Sequence, residues 1–412
     1  MNKKLKVALI AIVVTAAAVF GTYGVSRIQL ELLGRVSLYG TIEENPWDED
    51  IVFSSDDYYT LTVERGDTLK ILMLTDTHFK NGGWYANYVW VGEAVNQGVY
   101  ADIKTLVKET SPDFIYLTGD IETASLNDKI FEQFCAFMEK LGVDWTMTMG
   151  NHDGENRADK AYISGILSDA KYSRCVYDVG YTNLNGLGNT VIPVVDETDT
   201  LLYAFILMDF GDWQKRKDPV KQYSTYEAGE TEEQRLWYAW VVEGLAAEKG
   251  ETVETMLLAH IPFHAVTYAA KLSYMDIKLD STDGYLYGTD PFDTESEFGY
   301  TNAEYLAFRE AYHANGDKGY NILTLASYYE YKENDLFFKL ITDLGSTKQI
   351  VTGHNHCDGY SVRFDGIVYT SVVKTGDIYV DKAWDNGNRG GTLFLFENVG
   401  GSLSVVSERL YV

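Results

Sequence analysis

Five apolar runs in this chain each stop abruptly at polar side chains. The clearest run ends at Met149-Gly150 and is followed at once by Asn151, His152 and Asp153. A buried strand that ends in this way delivers polar side chains to the edge of a sheet. In open α/β sheets, ligands bind at the edge beyond the carboxyl ends of the strands. A turn rich in Asn, Asp and Gly would explain this one stretch equally well, so its meaning depends on the other four.

Those four runs end in the same kinds of side chain. They carry, in chain order, Asp76 and His78, then Asp120, then His260, then His354 and His356. Five of the 7 histidines in the chain therefore fall at strand ends. A histidine of the core would fall inside a strand, and chance turns would not gather so scarce a residue at strand ends. The pattern indicates one site assembled from several strands.

Carboxylate, imidazole and amide donors of this kind suit a pair of divalent cations. Two ions held ~3.5–4 Å apart need a shared carboxylate and further ligands of their own. The mixed nitrogen and oxygen donors favour Mn, Fe, Zn or Co over calcium, and the lack of thiolates argues against a structural zinc site. Such a pair binds a phosphate group and lowers the pKa of a bridging water, and a nearby protonated histidine can act as a general acid. A site for a single ion is the less favoured alternative.

Helical patterns alternate with the apolar runs and predict an α/β fold. Helices are expected at Ala101–Thr110, from Asn127 onward, and at Thr231–Glu248, where a capping box marks the start. Asp365-Gly366 between two short apolar runs predicts a β-hairpin in an antiparallel C-terminal part. The stretch 265–343 is rich in Gly, Asp and Tyr, and we expect it to form an insertion or lid.

The five strand ends, in order, resemble the sequence blocks of the calcineurin-like metallophosphoesterase superfamily. Those blocks are D-x-H, G-D, G-N-H-D/E, a lone His, and G-H-x-H, and all five occur here in that order. The resemblance implies a four-layer αββα sandwich, of the α/β (α+β) class, over residues 67–412. It also implies a phosphoric ester hydrolase with two divalent ions, Mn, Fe or Zn.

The resemblance implies a role for each matching residue. The first metal would be held by Asp76, His78, Asp120 and His356, and the second by Asp120, Asn151, His260 and His354. His152 would be the general acid, and Asp153 would orient it. A catalytically silent binding protein on the same fold is the alternative, but such relatives usually lose metal ligands, and no ligand position is vacant here.

One position departs from a neighbouring branch of that superfamily. The purple acid phosphatases have a tyrosine ligand three residues beyond the bridging aspartate, whereas this chain has Thr123 there. We therefore expect no iron–tyrosinate chromophore. The helical segment before His260 still resembles that wider branch.

The N-terminus predicts a membrane location. Lys3, Lys4 and Lys6 precede an apolar run up to residue 25, close to the ~20 residues that span a bilayer. Leading lysines favour the cytoplasmic side, which puts the catalytic part outside. We expect residues 1–25 to be a single transmembrane anchor, followed by a connector at 26–66 with a short β element. Cleavage of a signal sequence and secretion are the alternative.

Composition excludes some partners. The net charge of −27 argues against nucleic acid, because phosphate backbones require basic surfaces. Three cysteines without a C-x-x-C pair give no disulfide framework. The expected substrate is a phosphate-ester small molecule or a phosphorylated macromolecule, as a monoester or a diester.

Overall fold

The computed structural model describes most of the chain downstream of residue 41. It covers residues 42–80, 89–124, 126–211, 214–217, 224–227, 230–262, 284–287, 336–354, 356, 359–376 and 389–412. The expected anchor at 1–25 lies outside these ranges, as does most of the expected insertion at 265–343. Within the described ranges, every helix is too short or too polar to cross a bilayer.

Fifteen strands and five α-helices occur in the described residues. The strands are β1 (Leu61–Thr62), β2 (Thr68–Leu74), β3 (Phe114–Leu117), β4 (Asp144–Met147), β5 (Thr190–Val195), β6 (Leu201–Leu207), β7 (Gln214–Lys217), β8 (Ser224–Glu227), β9 (Glu254–Leu258), β10 (Gly284–Tyr287), β11 (Thr347–Thr352), β12 (Tyr360–Phe364), β13 (Ile367–Ser371), β14 (Gly390–Val399) and β15 (Ser402–Tyr411). The helices are α1 (Val89–Thr110), α2 (Asn127–Glu139), α3 (Lys160–Leu167), α4 (Glu232–Lys249) and α5 (Leu336–Leu344).

Most strands belong to two sheets. One sheet has the order β15-β14-β2-β3-β4, and the other has the order β1-β5-β6-β9-β11-β13-β12-β10. Strands β2, β3 and β4 are parallel, and so are β6, β9, β11 and β13. Parallel neighbours end at the same edge of a sheet, so each sheet brings several carboxyl ends together.

Both faces of the central strands are buried, which explains why they are continuous apolar runs. In β2, Leu72 and Leu74 pack with α1 and α2, whereas Ile71 and Met73 pack against the other sheet. Helices α4 and α5 cover the far face of that second sheet. The predicted α/β sandwich is confirmed, with two sheets packed face to face and helices outside each.

Several elements differ from the sequence predictions. Helix α1 begins at Val89, twelve residues before the expected start at Ala101. This first part of the helix was not predicted, because Gly92 and Gly98 weaken its helical pattern. Helix α3 was not predicted, since it has only 8 residues and its N-cap, Asp159, lies in a turn-like sequence. Strand β5 was not predicted either. The short β element expected in the connector is β1, which pairs with β5.

Two local predictions are confirmed. Helix α4 begins with the expected capping box, in which the Thr231 hydroxyl accepts from the Gln234 amide and the Gln234 side chain accepts from the Thr231 amide. The hairpin between β12 and β13 turns at Asp365 and Gly366, both with positive φ. Positive φ at both central residues is the requirement of a tight type I′ turn.

Candidate metal centre

The carboxyl ends of β2, β3 and β4 meet those of β9 and β11 at one edge of the sandwich. Within the first sheet, the His78 amide donates to the Asp120 carbonyl at 3.1 Å. Hydrogen bonds also join the two sheets at this edge. The His354 amide donates to Asp76 Oδ2 at 2.9 Å, and His260 Nδ1 lies 3.0 Å from the Thr118 carbonyl oxygen. The polar strand ends of both sheets therefore form one connected cluster.

Five of the side chains at this edge sit on unusual backbone. Each is a non-glycine residue with positive φ: Asp76 (51°), His78 (45°), Asp120 (52°), His354 (70°) and His356 (49°). Such conformations cost roughly 1–3 kcal/mol each and persist only where the surrounding structure imposes them, most often at functional sites. The backbone is bent so that these side chains turn inward together.

Glycines allow the strand ends to approach so closely. A Cβ atom on Gly150 would overlap the Asp120 carboxylate, and one on Gly353 would overlap the Thr75 and Thr118 hydroxyls. The glycines in the G-N-H-D and G-H-x-H segments are therefore required by the packing at the site itself.

One group of potential metal donors consists of Asp76, His78, Asp120 and His356, whose ligating atoms all lie within 4.8 Å of one another. His78 Nε2 is 2.9 Å from His356 Nε2, and His356 Nε2 is 3.1 Å from Asp76 Oδ1. Two carboxylates and two imidazoles that converge in this way can hold one transition-metal ion.

A second group consists of Asp120, His260 and His354, again within 4.8 Å of one another. His260 Nε2 lies 3.2 Å from Asp120 Oδ2, and the rings of His260 and His354 are 5.2 Å apart. Asp120 is common to both groups, as a bridging carboxylate would be. The sequence predicted Asn151 as a further donor, and its side chain is buried at the end of β4.

Several atoms at the site that could bind a metal are buried but make no hydrogen bond within the described part of the chain. Among the described residues, Asp76 Oδ1, Asp120 Oδ2, Asn151 Oδ1 and His260 Nε2 make no well-aligned hydrogen bond. A buried polar atom without a partner costs about 1–3 kcal/mol, so native proteins rarely leave several together. Two divalent cations would satisfy this set, and the residues present therefore fit a pair of metals.

The electrostatics agree with that fit. Burial by itself would raise the pKa of Asp120, but the imidazoles of His260 and His152 hold it well below its usual range. Burial opposes the charged form of His260, but the Asp120 carboxylate outweighs burial and raises its pKa to about 9. Burial lowers the pKa of His78 to about 4, which keeps it neutral and able to bind a metal. The carboxylates thus require positive charge nearby.

His152 and Asp153 lie beside this cluster but do not contact each other in the expected way. The Asp153 carboxylate accepts from the backbone amides of Gly150 (2.7 Å), Ile121 (2.8 Å) and Asp120 (2.9 Å). It therefore joins the ends of β3 and β4 and does not orient the ring of His152. Both carboxylate oxygens are occupied by backbone donors, which explains the difference from the sequence expectation.

The ring of His152 contacts a residue that the sequence did not indicate. His152 Nδ1 lies 2.8 Å from Glu155 Oε1, whereas Nε2 faces the cluster, 4.0 Å from Asp120 Oδ2. Thr75 was also missed, and its hydroxyl donates to Asp76 Oδ2 at 2.7 Å. Neither residue belongs to a recognisable spacing, although Thr75 directly precedes a predicted ligand.

Comparison with known proteins gives one family and several solved structures of low sequence identity. The calcineurin-like phosphoesterase family model matches residues 69–358. No curated protein matches the chain. A dimetal phosphatase from Danio rerio is 10% identical, with 83% of this chain and 98% of that chain covered and a TM-score of 0.44.

Two further solved structures are similar at the same low level of identity. A protein from Thermus thermophilus is 10% identical, with 84% of this chain and 99% of that chain covered and a TM-score of 0.36. A purple acid phosphatase from yellow lupin (Lupinus luteus) seeds is 11% identical, with a TM-score of 0.34. In that comparison 84% of this chain is covered but only 54% of the lupin chain.

Proposed function

Because this chain belongs to the calcineurin-like phosphoesterase family, and is thereby a hydrolase of phosphoric ester bonds, we propose that it cleaves phosphomonoesters or phosphodiesters at a two-metal centre. The ions would be Mn, Fe or Zn, which suit mixed imidazole and carboxylate donors. One observation carries the proposal. Two groups of buried donors meet at the single carboxylate of Asp120, and several of their atoms have no other partner among the described residues.

The proposed ligands are the members of the two groups, with Asn151 added to the second. The first ion would be held by Asp76, His78, Asp120 and His356, and the second by Asp120, Asn151, His260 and His354. When bound, the pair would fix the phosphate group and acidify a water so that hydroxide is available at neutral pH.

Side chains of this chain supply the fixed charge, the proton and the backbone positioning that the proposed reaction needs. Asp120 lies between the two groups and keeps its negative charge, because the surrounding imidazoles hold its pKa low. The Nε2 atom of His152 faces the same space and gives its proton to the leaving oxygen as the ester bond breaks. The Asp153 carboxylate accepts from amides that follow β3 and β4, and so holds Asp120 and Asn151 at fixed positions relative to each other.

Metal analysis combined with a phosphate-release screen tests this function. We expect about two transition-metal ions per chain, as a shared-carboxylate centre requires, and release of phosphate or cleavage of a diester in a panel of both substrate classes. Dialysis against a chelator should abolish turnover, and Mn, Fe or Zn should restore it. A protein that binds two ions but cleaves no ester in the panel would instead support the alternative, a silent binding protein.

We also propose that the catalytic part is extracytoplasmic and is held at the cell membrane by residues 1–25. Support comes from the lysines that precede an apolar run of spanning length. Fractionation of cells that express the full chain tests this location. Protein in the membrane fraction that external protease degrades is the expected result. Recovery from the medium as a shortened chain would favour a cleaved signal sequence.

A further inference from the structure

The two ring nitrogens of His152 face two different chemical environments. Nε2 points toward the metal cluster, 4.0 Å from Asp120 Oδ2, and the ring stands edge-on to His78 with 5.5 Å between ring centroids. Nδ1 points away from the cluster and lies 2.8 Å from Glu155 Oε1. The ring is therefore held between the reacting centre and a carboxylate outside it.

This arrangement decides which nitrogen carries a permanent proton. An ionised carboxylate can only accept hydrogen bonds, so the contact with Glu155 requires a proton on His152 Nδ1. The proton on Nε2 is then the one that can be exchanged with a substrate. A ring turned over by 180° would place a carbon atom against the carboxylate and lose a charge-assisted hydrogen bond.

The turn that carries this pair is held at both ends. The Glu155 amide donates to the His152 carbonyl at 3.3 Å. On its N-terminal side, the amides of Gly150, Asp120 and Ile121 donate to the Asp153 carboxylate inside the turn. Beyond the turn, the Asn127 side chain donates to and accepts from the Ala158 backbone at 2.8 Å each. The spacing between His152 and Glu155 is therefore fixed by the fold and not by the ion pair alone.

We propose that Glu155 is a positioning residue that fixes the tautomer and orientation of His152. The inference rests on the proposed role of His152 as general acid. In that step the Nε2–H bond breaks and a hydrogen–oxygen bond forms on the leaving group. The electron pair of the P–O bond stays with the leaving oxygen, while Nδ1 keeps its proton and its contact with Glu155.

Glu155→Gln tests the proposal with little risk to the fold. The side chains of His152 and Glu155 are 33% and 49% exposed, and exposed ion pairs contribute little to folding stability. Alkyl phosphates need a protonated leaving oxygen, whereas p-nitrophenolate leaves without help. We expect kcat to fall roughly 10- to 100-fold on an alkyl phosphate, a part of the ~10²–10⁴ that general acid catalysis supplies. On p-nitrophenyl phosphate kcat should change little, and the metal content should stay the same.

Three comparisons make the test specific. Glu155→Asp should restore part of the lost rate on the alkyl ester. In a His152→Ala background, Glu155→Gln should have no further effect, because its action passes through the ring. Glu132→Gln removes a surface ion pair with Lys129 (2.9 Å) on α2, outside both donor groups, and should behave as the wild type on both esters.

A measurement without turnover separates this inference from the proposed function. The ¹⁵N resonances of the His152 ring, identified by their loss in His152→Ala, should show a protonated Nδ1 in the metal-loaded wild type. An unprotonated Nδ1, or an equal loss of rate on both esters in Glu155→Gln, would overturn the role of Glu155. A wild type that holds two metals, shows a protonated Nδ1 and cleaves no ester would contradict the proposed function while leaving the positioning intact.

Discussion

The two sheets contribute different donors to the same cluster. The ends of β2, β3 and β4 supply both carboxylates, Asp76 and Asp120, together with one imidazole and one amide. The ends of β9 and β11 supply imidazoles, and among the described residues they supply no carboxylate to either donor group. All the negative charge that would neutralise two cations thus comes from the five-stranded sheet, whereas the eight-stranded sheet supplies imidazoles, which add no negative charge.

This difference predicts unequal effects of mutation. A substitution at a carboxylate of the five-stranded sheet removes charge from a buried site, and at Asp120 it removes charge from both donor groups at once. A substitution at an imidazole of the eight-stranded sheet removes one neutral ligand from one group. The variants below measure how far this asymmetry extends.

The largest effect is expected for Asp120→Asn. The amide keeps the shape of the side chain but removes the negative charge that both ions share, so we expect both to be lost and phosphate release to fall by on the order of 10³-fold. Metal content and turnover should fall together. Asp169→Asn, at a partly exposed ion pair with Lys171 (2.7 Å) outside both donor groups, is the control. Retention of both ions in Asp120→Asn would mean that the two groups do not share a bridging carboxylate.

A smaller and more selective effect is expected for His354→Ala and His356→Ala. Both residues follow β11, two positions apart, but they belong to different donor groups. Each variant should lose one ion and keep the other, with activity reduced on the order of 10²-fold, because a two-metal mechanism needs both ions. The double variant should bind neither ion strongly. If either single variant loses both ions, the division into two groups is wrong.

His152→Ala lies on the side of the five-stranded sheet but outside both donor groups. We expect it to keep both metals while kcat on alkyl phosphates falls by roughly 10²-fold, the lower end of what general acid catalysis supplies. Hydrolysis of p-nitrophenyl phosphate should suffer much less. Loss of metal in this variant would show that His152 is a ligand, and the charge-bearing half of the site would then hold one more imidazole than proposed.

The strand ends could be predicted from sequence because their signal is local. An apolar run followed by Asp, His or Asn needs no knowledge of the partner strand, and each of the five runs does form a strand that ends where expected within about two residues. Which strand ends lie close together is not a local property of the sequence. Asp76 and His354 are joined across the sheets by a hydrogen bond, and only the resemblance to a family implied that proximity.

Contacts made by loops were not predictable in this way. Asp153 directly follows His152 and was expected to orient it, but the turn directs its carboxylate to backbone amides instead. Glu155, two residues further on, reaches the ring because the chain reverses between them. The outcome depends on backbone dihedral angles in the turn, which the order of residue types does not determine.

The smallest effect is expected for Thr75→Val, which tests whether the carboxylates depend on their hydrogen-bond donors. The Thr75 hydroxyl donates to Asp76 Oδ2 at 2.7 Å, and valine keeps its shape without the donor. Loss of such a supporting contact typically weakens metal binding by about 10-fold or more and costs about 1 kcal/mol of folding stability.

Thr370→Val is the matched control, because the Thr370 hydroxyl is buried against Ser361 at 3.0 Å between β12 and β13 and touches no proposed ligand. Both variants should lose similar stability in chemical denaturation of the metal-free protein, and only Thr75→Val should need more metal for half-maximal activity. Equal metal affinity in the two variants would show that Asp76 is held by the fold alone. The carboxylate side of the site would then need no more support than the imidazole side.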